Sequence, residues 1–371
     1  MRDDADMDRR SAFRTMLGVG ALPLVGACAR AAGARPRLTR RQLAGQRVIF
    51  SYPGLTVPPA LLRQISAGEA AGVIFFGENV AGQAQLASVI RQLRQARRRS
   101  PVTSPLLLMT DQEGGLVRRL PGAPARSEKQ VGAAADPVAA ARSAGTGAGR
   151  NLAGAGMNVN LAPVLDVYHA PGDFTDQYQR SYSSSAATAA ACGKAFITAQ
   201  QQAGVAATAK HFPGLGQAGA AQNTDTGPVT LHVPLSGLRT RDEAPYPAAI
   251  AAGVKLVMAS WAVYPALDAT RPAGLSSAVI HGELRGRLGF RGVTITDAIE
   301  AGALGAFGSH GQRAVLAARA GMDLLLCSAR DVAQGQAVVT ALAGALNGGK
   351  LGPAGFSAAV QRVTALRDSL R

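Results

Sequence analysis

Aromatic residues are scarce in this chain: one Trp, six Tyr and ten Phe in 371 residues. That scarcity argues against a single-stranded nucleic-acid binder, which stacks bases on aromatic faces along a basic groove. Acidic residues are also few, 23 against 39 Lys and Arg, for a net charge of +16. The basic residues are mostly Arg scattered among Ala and Gly, with no stripe that pairs them with aromatics, so no nucleic-acid partner is expected. Such a surface is instead compatible with an anionic cell wall. Cysteine is limited to Cys28, Cys192 and Cys327. Three cysteines make no disulfide framework, and no His/Cys/Asp/Glu cluster has metal-ligand spacing, so no metal or cofactor is expected. Cys192 and Cys327 sit in apolar helix and strand contexts and read as buried thiols. No apolar run reaches the length of a membrane-spanning helix.

What is present begins with a leader. Arg9 and Arg10 precede an apolar stretch from Met16 to Ala27, which ends in the small residues Gly26 and Ala27. A charged start, a short apolar run and small residues before a cut site form an export signal. Val25-Gly26-Ala27-Cys28 is similar to a bacterial lipobox, in which Cys28 is the lipidated residue. A plain signal peptide is the alternative. Residues 1–35 are therefore assigned to leader and tether, and 36–371 to one catalytic domain. The expected location is outside the cytoplasm, secreted or held at the cell surface, with membrane contact only through the lipid.

Beyond the leader, short apolar runs alternate with segments of helical periodicity. The runs lie at Arg47–Phe50, Gly72–Phe76, Leu106–Thr110, Asn158–Leu161, Val205–Lys210, Leu256–Ser260, Val293–Thr296 and Asp323–Leu326. Gln83–Arg97 and Ala186–Ala203 are among the intervening helical stretches. Apolar strands alternating with helices specify a parallel sheet buried on both faces. Eight repeats favour closure into a (β/α)8 TIM barrel, and the lack of G-x-G-x-x-G after the first strand leaves a dinucleotide fold without a site. A single barrel of this kind is viable as a monomer. Polar residues gather just past the carboxyl ends of the runs: Asn79, Asp111, Asp166, Lys210-His211, Trp261 and Asp297. Barrel enzymes build their sites at that rim.

Three segments carry the strongest chemical signal. They are Asp111-Gln112-Glu113-Gly114-Gly115 with Arg118-Arg119 following, Lys210-His211-Phe212-Pro213-Gly214, and Thr294-Ile295-Thr296-Asp297-Ala298. A carboxylate fixed at a strand end can attack an anomeric carbon, and nearby cations can orient hydroxyls and keep neighbouring carboxylates ionised. A helix N-cap is the other use for Asp297. Together with Gly72–Gly77, Asn160–Asp166 and Arg180-Ser181-Tyr182, these segments resemble the family 3 glycoside hydrolases, in particular single-domain bacterial β-N-acetylglucosaminidases acting on cell-wall fragments. The likeness spans roughly residues 40–330. It implies that Asp111, Arg119, Arg180, Lys210 and His211 hold the sugar, and that Asp297 is the nucleophile of a covalent glycosyl-enzyme intermediate.

The chain departs from that pattern at the proton donor. The family motif Lys-His-Phe-Pro-Gly-His-Gly is here Lys210-His211-Phe212-Pro213-Gly214-Leu215-Gly216, and the later Asp-Ser-His is Asp225-Thr226-Gly227. Glycine stands where the resemblance places the catalytic histidine. Asp225 is the simplest substitute as acid/base, with Glu300 and His232 as further candidates; His169, His281 and His310 read as structural. The Gly- and Ala-rich segment between Gly214 and Gly227 is either a movable lid or an ordinary surface loop. Three readings stay open: a retaining hydrolase of terminal β-linked N-acetylhexosamine, a glycan-binding lipoprotein with little catalysis, or a phosphorylase or transglycosidase.

Overall fold

The computed structural model describes residues 38–370. The leader and Cys28 lie outside the described residues. Eight parallel strands close on themselves: β1 Val48–Phe50, β2 Gly72–Ile74, β3 Leu107–Thr110, β4 Val159–Asn160, β5 Ala206–Phe212, β6 Leu256–Ala259, β7 Val293–Ala298 and β8 Leu324–Leu326. The closing pair aligns Val48 with Leu325 and Ile49 with Leu326. Each expected strand is found, most of them trimmed by a residue or two; β5 and β7 run further, carrying His211 and Asp297 into the sheet.

The surrounding helices follow the strands in turn: α1 Pro59–Ser66, α2 Gln83–Arg98, α3 Pro137–Ala155, α4 Ala186–Gln202, α5 Pro245–Ala251, α6 Ala278–Arg287 in the wider π form, α7 His310–Ala320 and α8 Val332–Asn347. Their starts are chemically marked. Asp136, Ser185, Ser309 and Asp331 accept from backbone amides of the first turn of α3, α4, α7 and α8, satisfying donors that a helix start leaves open.

Strand side chains alternate between two apolar compartments. Ile49, Ile74, Leu107, Met109, Leu256, Met258, Val293, Ile295, Leu324 and Leu326 fill the barrel interior. Their neighbours Val48, Phe50, Val73, Leu108, Val257 and Leu325 pack against the helices instead. This period of two follows from strand geometry. Continued one step past the apolar interior, it brings Asp111, Lys210, Asp297 and Ser328 to the carboxyl-terminal mouth. The other mouth is plugged by a last helix, α9 Pro353–Ser369, whose Val363 and Leu366 join the interior cluster. Arg367 on α9 is fully buried and donates to the carbonyls of Pro105 and Ser104, with Gln46 as a further partner.

Cys192 and Cys327 are buried and form no disulfide among the described residues. Two residues of the expected polar rim are structural. Asn79 donates to the Tyr52 and Gly54 carbonyls and accepts from the Phe76 amide, tying the β1 and β2 loops together. Trp261 is fully buried and donates its indole N–H to the Ala298 carbonyl at 2.9 Å, bracing the end of β7 from behind.

Candidate active site

A cavity of about 350 Å3 opens at the carboxyl-terminal mouth. Asp111, Arg119, Arg180, Lys210, His211, Asp225 and Asp297 all line it, although they come from five separate stretches of chain. Ile74, Leu161, Met258 and Leu326 form its apolar floor, while Ser328 and Arg330 stand on the β8 side.

The segment after β3 shows why its residue order matters. Gln112–Gly114 pairs with Val117–Arg118 in a small hairpin. Gly114 and Gly115 have φ of 116° and 56°. A Cβ on Gly114 would sit 2.2 Å from the Arg126 carbonyl oxygen, and one on Gly115 2.5 Å from the Ser127 Cβ, so only glycine fits. The Gln112 side chain accepts from the Arg119 and Leu120 amides and donates to the Leu120 and Ala123 carbonyls. It thereby fixes where Arg119 leaves the hairpin. Arg118 points out and donates to the Gly122 carbonyl. Arg119 lines the cavity, and its buried Nε has no hydrogen-bond partner among the described residues.

Glu113 organises the cationic side, a role that the sequence did not reveal. Its Oε1 lies 2.7 Å from Lys210 Nζ and 2.8 Å from Arg180 Nη2, while Oε2 accepts from Arg180 Nε at 2.9 Å. Lys210 Nζ also reaches Asp111 Oδ1 at 2.8 Å. Burial opposes ionisation of Glu113, but the Arg180 and Lys210 charges outweigh it and lower the carboxyl from 4.5 to about 2. Burial likewise opposes the Lys210 charge, and Asp111 and Glu113 overcome it. The network keeps two cations charged in a dry site. Below it, Glu128 is raised well above the carboxylate range by burial and by the Glu113 charge. One of its oxygens accepts from the Val164 amide at 3.0 Å.

His211 is set by Asp166. The Asp166 Oδ2 lies 2.7 Å from His211 Nδ1, and Oδ1 accepts from the His211 and Leu215 amides. Because a carboxylate only accepts, Nδ1 carries the proton and Nε2 is the nitrogen left for a ligand. Burial raises the Asp166 pKa, but His211 and the two amides pull it below the ordinary value.

The segment that was open to a lid reading is fastened along its length. Leu215 and Ala218 are buried, the Gly216 carbonyl accepts from His169, and the Ala218 carbonyl accepts from Phe174. A Cβ on Gly216 would fall 1.9 Å from the Val167 carbonyl oxygen, so this glycine serves close packing rather than motion. Further along, the Thr224 and Asp225 carbonyls accept from the Ala303 and Gly302 amides. That latch carries Asp225 to the cavity beside Asp297. Burial and then the Asp297 charge raise the Asp225 pKa, with His211 and Arg180 opposing. Asp225 is exposed at the rim and yet feels both neighbouring carboxylates, Asp297 and Glu300.

Asp297 is the penultimate residue of β7 and accepts from the Ala298 amide at 2.7 Å. No helix begins there; the next helical turn is Gly302–Phe307, so helix capping does not account for this residue. Glu300 is committed elsewhere: it accepts from Ser328 Oγ at 2.6 Å, the Ser328 amide and Gln334 Nε2. Both of its oxygens are taken up by these three donors. His232 is exposed on its loop and does not line the cavity. His169 bonds Asp242 at 3.0 Å, and the His281 ring lies against Gly321. Arg330 completes the rim. It holds φ 57°, lies 4.0 Å over the Phe76 ring and pairs with Glu78 at 3.3 Å.

A closed (β/α)8 barrel with two carboxylates and a charged, hydrogen-bonding clamp at one mouth defines a carbohydrate-processing class of site. Residues 57–366 match the glycosyl hydrolase family 3 N-terminal domain. The chain belongs to that family and is a glycosidase. It is 46% identical over 88% of its length to an uncharacterized secreted glycosyl hydrolase of Arthroderma benhamiae, covering 93% of that protein. Among solved structures, a family 3 β-N-acetylglucosaminidase from Paenibacillus sp. superposes with a TM-score of 0.84 at 35% identity, over 90% of this chain and 63% of that one. This chain thus spans less than two thirds of the Paenibacillus enzyme. A β-N-acetylhexosaminidase from Beutenbergia cavernae gives 0.81 at 33% identity, over 89% of this chain and 99% of that one.

Proposed function

We propose that the protein is a retaining β-N-acetylhexosaminidase that removes terminal β-linked N-acetylglucosamine from cell-wall-derived glycans. Asp297 attacks the anomeric carbon and forms the glycosyl-enzyme ester, and Asp225 protonates the leaving oxygen. Asp225 then takes a proton from the water that hydrolyses the ester. Asp111, Arg119, Arg180, Lys210 and His211 hold the sugar hydroxyls. The observation that carries this reading is the single cavity lined by all seven residues, with Asp225 raised by burial and by Asp297. A raised pKa supplies the proton, and a retaining pair works at about 5–5.5 Å. The acetamido preference and the cell-wall source rest on the likeness to the Paenibacillus and Beutenbergia enzymes. Residues 1–35 serve as an export leader with Cys28 as the lipid attachment point, and 36–371 act as a monomeric catalytic domain; the secreted Arthroderma relative supports export.

One observation favours glycan binding with little turnover. Gly227 occupies the place where the family resemblance puts a histidine, and nothing lies within 4 Å of a Cβ built there. An aryl β-N-acetylglucosaminide separates the two readings, because its leaving group needs little protonation. Turnover with a sugar ester trapped on Asp297, detected by peptide mass, establishes the hydrolase. Saturable binding without release of the phenol leaves only the binder. Phosphate that accelerates turnover and yields a sugar phosphate indicates a phosphorylase instead.

A further inference from the structure

The mouth of the barrel opposite the cavity carries a pattern that the glycosidase reading does not use. Helix α9 lies across it, and three grooves border the helix. One is lined by Arg319, Lys350 and Arg362, another by Arg94, Arg97 and Arg98, and the third by Lys255, Arg291 and Arg362. Arg97, Arg98 and Arg319 lie in the last turns of α2 and α7, where cations complement the helix dipole.

The carboxylates of this face do not balance it. Asp323 is fully buried between Arg285 and Arg362, Glu69 is held by Arg41, and Asp368 lies beside the buried Arg367. Arg98, Arg99, Lys255, Arg291, Arg319 and Lys350 are exposed, and no ion pair engages them among the described residues. The exposed side of α9 adds only small or uncharged residues, among them Ala354, Ser357, Gln361 and Ala365.

The chain enters the domain at the same place. Arg40 bonds Asn347 at the end of α8, and Gln46 donates to the Gly68 carbonyl just before β2. Ten positions separate Cys28 from Leu38, a reach of at most about 35 Å when extended. A face that is cationic, groove-bearing and joined by a short link to the proposed lipid attachment point at Cys28 fits a lipid surface better than a free polyanion.

We infer that this face docks on an anionic phospholipid membrane, with lipid phosphates entering the grooves beside α9 and the substrate cavity pointing away. Docking stands on the charge of the face and does not depend on the reaction at the other mouth. Each cation near such a surface strengthens attachment, and salt weakens it.

The test compares the full-length protein with the variant R98Q/R291Q/K350Q. A control, R126Q/R142Q/R271Q, removes the same charge elsewhere on the surface. Sedimentation with phosphatidylglycerol-containing vesicles and with pure phosphatidylcholine vesicles separates charge from any contribution of the leader. The expected result is a loss of about a hundredfold in partitioning to the anionic vesicles for the first variant. The control stays within about tenfold of the unmodified protein, and hydrolysis of a soluble aryl glycoside is unchanged in both. Equal binding of the unmodified protein to charged and neutral vesicles overturns the inference. So does equal loss in both variants, or a preference for soluble polyphosphate over vesicles.

Discussion

The two mouths of one barrel have opposite chemistry. At the carboxyl-terminal mouth, charged side chains point inward and neutralise each other around a cavity: Lys210 with Asp111 and Glu113, Arg180 with Glu113. At the other, Val363 and Leu366 of α9 close an apolar plug, and cations point outward into solvent. The same strand periodicity builds both. Its last inward step is polar on β3, β5 and β7, whereas the opposite mouth is capped by a helix that brings its own apolar residues. Chemistry is concentrated where strand ends hold side chains rigidly, and stability where a helix excludes water.

The largest effect that breaks this contrast is expected from Asp297→Asn. Loss of the nucleophile should lower kcat by more than the ~10⁴-fold ceiling of a lost general acid, with folding unchanged; near-normal turnover would place the nucleophile elsewhere. Asp225→Asn should cost about 10²–10⁴-fold on a glycoside with a poor leaving group, and much less on an activated aryl glycoside. Equal losses on the two substrates would count against proton donation. Because burial and Asp297 raise its pKa, Asp225 keeps its proton to higher pH than an ordinary aspartate. The rate should fall as pH rises through that pKa, and Asp225→Asn should remove this limb.

Glu113→Gln should destabilise the domain by about 3–5 kcal/mol, since Lys210 and Arg180 then lie buried with too little counter-charge. Urea unfolding measures this. The folded carboxyl is lowered, so the stability it contributes is complete above about 4.5, its ordinary value, and is lost as pH falls toward about 2. At the plugged mouth, Leu366→Ala should cost about 2–5 kcal/mol by leaving a cavity, without a matching change in kcat. A large fall in activity of the folded variant would mean that the two mouths are coupled.

The smallest expected effect is the sharpest. Gly227→His places a side chain where nothing lies within 4 Å of a built Cβ, so stability should change by less than about 1 kcal/mol. With Asp225 already acting as donor, turnover on a poor leaving group should rise less than about tenfold. A gain of 10²-fold or more, the scale of a missing general acid, would show that the natural chain lacks one.

Most of the architecture was legible in the sequence because strand sterics and helix caps act locally. Apolar runs bounded by turns gave all eight strands, and Asp111, Lys210 and Asp297 fell on the inward step that each strand's own alternation sets. Trp261 and Asn79 misled, since a polar atom at a strand end looks the same whether it faces a cavity or ties two loops. Glu300 followed the same logic: nothing local announces Ser328 and Gln334 as its partners, 28 and 34 residues away.

What the sequence determined by itself is therefore the barrel, the family and the residue types of the site. What only the tertiary structure decided is who meets whom. Glu113 bridges Arg180 and Lys210, each far from it in the chain, because burial makes an unpaired charge too costly to leave alone. Asp225 reaches Asp297 because backbone hydrogen bonds to Gly302 and Ala303 fix an otherwise permissive loop. The basic grooves exist because barrel-helix ends and loops from the whole chain meet at one mouth, where the C-terminal helix folds across and borders them. Such pairings depend on closing long loops around a common core, and no local pattern encodes them.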